Sequence, residues 1–186
     1  NESSLNQWRK TQKESSFYII SRPAVTIEDL PSGIRDGINY IDDKTVILCL
    51  TAPGKNYIYT FGDFSNWEID PAYYLKKTTD GKKWWIKLTN LTPQKEYTFQ
   101  YLVDGNLRIA DPFCDKVLDP WNDSYINNST YPQLISYPSK KTEGIVSVLQ
   151  TNQIPYVWKK TNYTYPEKTD LVIYEILIRD FNTTHN

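Results

Sequence analysis

Between residues 34 and 111, apolar and polar positions alternate in short runs separated by turn residues. This is the two-residue period of strands with one face in a core. The pattern predicts strands over 35–40 and 45–50, joined through Asp42 and Asp43, and a third over 57–61 after the break at Pro53 and Gly54. Tyr57, Tyr59 and Phe61 then share one face of that third strand. Runs 73–78 and 83–88 flank Asp80-Gly81, a hairpin by its turn chemistry. In 97–103 the residues Tyr97, Phe99, Tyr101 and Val103 point one way and Thr98 and Gln100 the other, and Asp104-Gly105 turns the chain into 107–110. Short strands at regular spacing with no helix of normal length predict an all-β fold, an antiparallel sandwich of the immunoglobulin type.

The flanking regions break the pattern. Residues 1–33 read as a polar leader or linker with one short strand at 17–20. The sandwich is expected to occupy 34–112. Residues 113–169 carry many prolines, aspartates and asparagines and a single strand-like run at 145–149. A structureless segment of that length is expected to drape over a neighbouring domain. From 171 the sequence LVIYEILIRDF is almost unbroken apolar, the signature of a strand buried on both faces of a parallel sheet. Such a strand needs partners on each side, so 170–186 is expected to be the start of a further domain and the chain the front part of a larger protein.

Composition removes several classes of function. A formal net charge of -1 gives no field to attract nucleic acid, and no run approaches the roughly 18 to 20 apolar residues of a membrane span. The first residue is Asn1 and methionine is absent, which leads to the expectation of a processed, extracytoplasmic protein. Cys49 and Cys114 leave open whether a disulfide forms. The sequons at Asn90, Asn122, Asn127, Asn128, Asn162 and Asn182 are matches of the kind an Asn-rich chain produces by chance. Asp111, Asp115, Asp119 and Asp123 recur every four residues. Turn formation explains them better than calcium, because Pro112 and Pro120 break any regular face. With His185 the only histidine, no zinc set, Ser-His-Asp triad or phosphate loop can be assembled. Catalytic residues, metal ligands and cofactors are all expected to be absent. Trp84 and Trp85 must point to opposite faces of their strand, one into the core and one outward or beneath another domain.

Three pieces in fixed order carry a resemblance: FGDFSNW at 61–67, YTFQYLVDG at 97–105 and ADPF at 110–113, with Asp80-Gly81 and Trp84-Trp85 between them. Together they resemble the early-set, immunoglobulin-like domain in front of many α-amylase-superfamily enzymes, similar to carbohydrate-binding module family 48. The run LVIYEILIRDF resembles the first barrel strand of glycoside hydrolase family 13. The stretches at 109–123 and 144–150 look like exported α-amylase-type proteins of Bacteroidetes.

The resemblance implies retaining hydrolysis of α-glucosidic bonds by two carboxyl groups about 5 Å apart, carried on later strands of a TIM barrel. The sequence holds none of those strands, so the chain is expected to be inactive alone, with its own catalytic barrel as its partner. Trp67 would be the leading carbohydrate contact, its ring stacking on a glucose unit of an α-glucan oligosaccharide. In relatives a lysine and a second tryptophan assist, and here those positions hold Gln100 and Leu107. Packing of Trp67 under its own loop is the competing reading. Trp85 is a further surface-contact candidate. Two rival functions stay open: a free-standing α-glucan-binding module, and a structural immunoglobulin-like interaction module. The terminal strand could also pair with a second copy to form a homo-oligomer.

Overall fold

A computed structural model describes residues 24–176. Among these residues nine strands form two antiparallel sheets. β1 (Gly37–Asp42), β2 (Thr45–Thr51), β5 (Lys83–Leu88) and β4 (Lys76–Lys77) make the first, in the order β1-β2-β5-β4. The second runs β3-β6-β9-β8, from β3 (Ile58–Gly62), β6 (Glu96–Val103), β9 (Val146–Gln150) and β8 (Lys116–Leu118), and β7 (Leu107–Ile109) also pairs with β6.

The sheets bury a common core. Val46, Leu48 and Leu50 of β2 and Trp84, Ile86 and Leu88 of β5 join Tyr97, Phe99, Tyr101 and Val103 of β6, with Ile58, Leu75 and Leu149 filling between them. The alternation in 97–103 thus points its aromatic face inward as the sequence predicts. The hairpins predicted at Asp42-Asp43, Asp80-Gly81 and Asp104-Gly105 are the pairings β1-β2, β4-β5 and β6-β7. At the last, three residues, 104–106, join the paired Val103 and Leu107; Asp104 and Gly105 both have positive φ, 50° and 77°, and Asn106 N donates to Val103 O at 3.3 Å.

The outer faces are covered as well. Ile47, Cys49 and Trp85 lie under Leu30 and Ile34, and residues 26–28 bond along the edge of β4 through Glu28 N to Lys77 O and Lys77 N to Thr26 O, both 2.9 Å. On the second sheet, Tyr59, Phe61, Trp67, Leu102, Leu118, Val146 and Val148 pack with Leu134, Ile135 and Tyr137. Burial on both sides explains why β2, β3 and β6 are buried almost throughout instead of at alternate positions.

Three expectations change. The sandwich does not end at 112: β9 pairs with β6 from Glu96↔Gln150 to Phe99↔Ser147, and β8 pairs with β9, so residues 113–150 supply two strands and a cover for the second sheet. Trp85 is covered by the chain's own residues 28–34, not by a further domain. Strand 73–78 shortens to β4 because Pro71 and the Asp70 side chain, accepting from Ala72 N at 2.7 Å, hold 71–73 in a 3-10 turn. The strand expected at 17–20 and the terminal run beyond Ile176 lie outside the described residues. Residues 171–176 make no strand pairing. No helix among the described residues is long and apolar enough to cross a membrane.

Candidate functional site

The FGDFSNW segment leaves β3 at Gly62 and closes on itself. A Cβ at Gly62 would stand 2.1 Å from Thr98 O and 2.8 Å from Phe99 Cα, so only glycine lets β3 approach β6 this closely. Asp63 then ties the loop down. Its Oδ2 accepts from the backbone N and the hydroxyl of Thr98, both at 2.7 Å, and its Oδ1 accepts from the indole Nε1 of Trp67 at 2.9 Å. Asn66 and Trp67 both adopt left-handed backbone, φ 52° and 63°, which folds the indole back over the sheet. Trp67 is 8% exposed and meets Phe61 edge-on, ring centroids 5.6 Å apart. A ring so placed offers no open face for stacking on a sugar.

The other two carbohydrate candidates are also buried. Gln100, 1% exposed, donates through Nε2 to Glu143 O and Ile145 O, both at 2.8 Å, and its Oε1 accepts from the Thr142 hydroxyl. It latches the 142–145 loop to the sheet. Trp85, 3% exposed, donates from Nε1 to Glu28 O at 2.8 Å and lies beneath Lys76 Nζ, 4.6 Å from the ring centroid. Trp67 and Gln100 share the outer side of the second sheet, where Phe61 pairs with Gln100, whereas Trp85 is on the outer face of the first. The three therefore form no common surface.

The ADPF turn holds a buried polar knot. Asp111 N donates to Ser147 Oγ at 2.6 Å, while its carboxylate accepts from Tyr101 Oη at 2.8 Å and from Phe113 N at 2.8 Å. Burial raises the Asp111 carboxyl above the usual aspartate range and the Tyr101 phenol well above its own. Cys49 and Cys114 are free thiols. Burial, aided by Asp36, pushes Cys49 up to about 12, which makes it a poor nucleophile. The regularly spaced aspartates cap turns: Asp119 accepts from Trp121 N at 2.8 Å and Asn122 Nδ2 at 2.7 Å, and Asp123 accepts from Asp119 N at 2.9 Å. Among the described residues no group of three or more His, Cys, Asp or Glu side chains is arranged to hold a metal ion.

The large exposed apolar surface lies elsewhere. From Ile154 to Ile176 the chain presents Tyr156, Val157, Trp158, Tyr163, Tyr165, Val172, Ile173 and Tyr174 outward, with Trp158 71% exposed. Tyr156 and Trp158 meet edge to face at 4.9 Å, as do Tyr163 and Tyr165 at 5.4 Å. Apart from one short 3-10 turn, Lys168–Asp170, the segment has no regular structure. Apolar runs of this size turned to water occur at interaction surfaces, at ligand grooves and at aggregation-prone sites.

No family model matches the chain. Over 68 residues it is 35% identical to a 1,4-alpha-glucan branching enzyme of Clostridium perfringens, a match that takes in 35% of this chain and 10% of that protein. The chain thus spans about a tenth of the curated relative it matches.

Pattern reasoning identified the motif residues but not their use. Asp63, Gly62 and Gln100 serve the internal architecture, through contacts across 35 to 45 positions of sequence that local periodicity does not carry. One signal was readable in advance: Gln100 falls on the polar side of an alternating strand, where either solvent or a second layer can meet it.

Proposed function

We propose that the chain is the non-catalytic N-terminal region of an α-amylase-type enzyme acting on α-glucans. In this reading the sandwich is an early-set, immunoglobulin-like domain that positions a (β/α)8 catalytic domain, and residues 154–176 are the surface on which that domain packs. The observation that carries the reading is the exposed apolar run from Ile154 to Ile176 on a chain whose strands β2, β3, β5 and β6 are buried on both faces. The similarity to a branching enzyme supports the α-glucan class. A parent of this kind would hydrolyse or transfer α-glucosidic bonds with carboxyl groups outside this sequence.

A free-standing glucan-binding module is the weaker reading, because Trp67, Trp85 and Gln100 are buried and spent on internal hydrogen bonds. Incubating amylose with the 186-residue chain and with the complete protein tests the proposal. The complete protein should release reducing ends or alter branching while the chain alone does neither. A complete protein inert on α-glucans would overturn it.

A further inference from the structure

We infer that Asp111 is a protonation-dependent clasp, which holds the turn between β7 and β8 against both sheets more tightly in acid than at neutral pH. Asp111 is 2% exposed and is the point at which four parts of the chain meet. Its backbone N bonds Ser147 on β9, its carboxylate accepts from Tyr101 on β6 and from Phe113 of its own turn, and Gly37 of β1 abuts both. A Cβ at Gly37 would come within 2.7 Å of Phe113 Cβ and 3.7 Å of Asp111 Oδ1.

The ionised form is poorly compensated. No lysine, arginine or histidine among the described residues pairs with Asp111; the ion pairs found are Lys76–Glu28, Lys83–Asp36 and Lys116–Glu96. The titratable groups that face it are acids. Tyr101 comes from β6, Cys114 from its own turn, Cys49 from β2 and Asp36 from the segment before β1, and Lys83 on β5 is engaged by Asp36. A buried carboxylate with two hydrogen bonds and no cation retains a desolvation cost. On protonation a single hydrogen bond still joins the carboxyl to Tyr101 Oη and the bond from Phe113 N is kept, so what changes is relief of the buried charge and not the number of bonds.

A carboxyl raised in the folded state contributes stability that is complete below the unfolded value, near 3.8, and is lost as pH rises through the folded value. Asp111→Asn imitates the protonated form at every pH. Its melting temperature should therefore match the parent near pH 4 and exceed it at pH 8, by about 2–4 °C. A difference that is the same at both pH values, or a variant less stable than the parent only at pH 8, overturns the clasp. Should the variant fail to fold, carbon-13 NMR of aspartate carboxyls in the parent chain decides. Titration of Asp111 above the ordinary aspartate range supports the clasp, and titration at or below it overturns the clasp.

Discussion

Asp63 Oδ1 accepts the indole N–H of Trp67 at 2.9 Å, and the same carboxylate holds the backbone of Thr98 with its other oxygen. One side chain thus fixes the loop that follows β3 and fastens it to β6. Asp63→Ala should cost about 2 kcal/mol, because it leaves the Thr98 N–H and the indole to find new acceptors. Trp67→Ala should cost about 3 kcal/mol through the lost contact with Phe61 and its neighbours. Urea unfolding measures both. A Trp67→Ala chain of parental stability that had lost binding to maltoheptaose would assign the ring to sugar instead.

Gly62 is extended, with φ 170°, so backbone conformation does not require glycine there. The closeness of Thr98 O does. Gly62→Ala should destabilise by about 2–4 kcal/mol, since a β3–β6 pairing that buries both strands has to separate. Equilibrium denaturation that changed by less than about 0.5 kcal/mol would contradict this packing.

Asp36 behaves oppositely to Asp111. Partial burial opposes its ionisation, but hydrogen bonds from Lys83 at 2.9 Å and Thr51 at 2.8 Å together outweigh burial and hold its carboxyl below the usual range. A lowered carboxyl contributes stability that is present above about pH 4 and is lost as pH falls through the folded value. Asp36→Asn should therefore lower the melting temperature at pH 7, and the gap from the parent should close near pH 2. A gap that persists unchanged into acid would mean that the asparagine disturbs packing and not charge.

Much of this fold could be read from the sequence, and the reasons are local. The Asp80-Gly81 and Asp104-Gly105 turns and the alternation of Tyr97, Phe99, Tyr101 and Val103 depend on neighbouring residues only. What local pattern could not show is covering. Leu30 and Ile34 over Trp85, and Leu134 and Ile135 over the second sheet, are long-range contacts made by segments without strand periodicity. That layer turned the predicted carbohydrate residues inward. β8 escaped prediction because Lys116, Val117 and Leu118 are too short a run to show alternation, and they are strand only through pairing with β9.

Residues 154–165 contribute little to the sandwich. Replacing Tyr156, Val157 and Trp158 together by serine should change the stability of the chain by less than about 0.5 kcal/mol, as for exposed positions generally. Loss of more than about 2 kcal/mol in chemical denaturation would show that these side chains pack on the sandwich itself.

The central claim is that the exposed run from Ile154 to Ile176 is a docking surface for a catalytic domain. Hydrogen–deuterium exchange over these residues, compared between the 186-residue chain and the complete protein, tests it most directly. The account predicts fast exchange in the chain alone, where the segment lacks strand pairing, and strong protection in the complete protein. Equally fast exchange in both would contradict it.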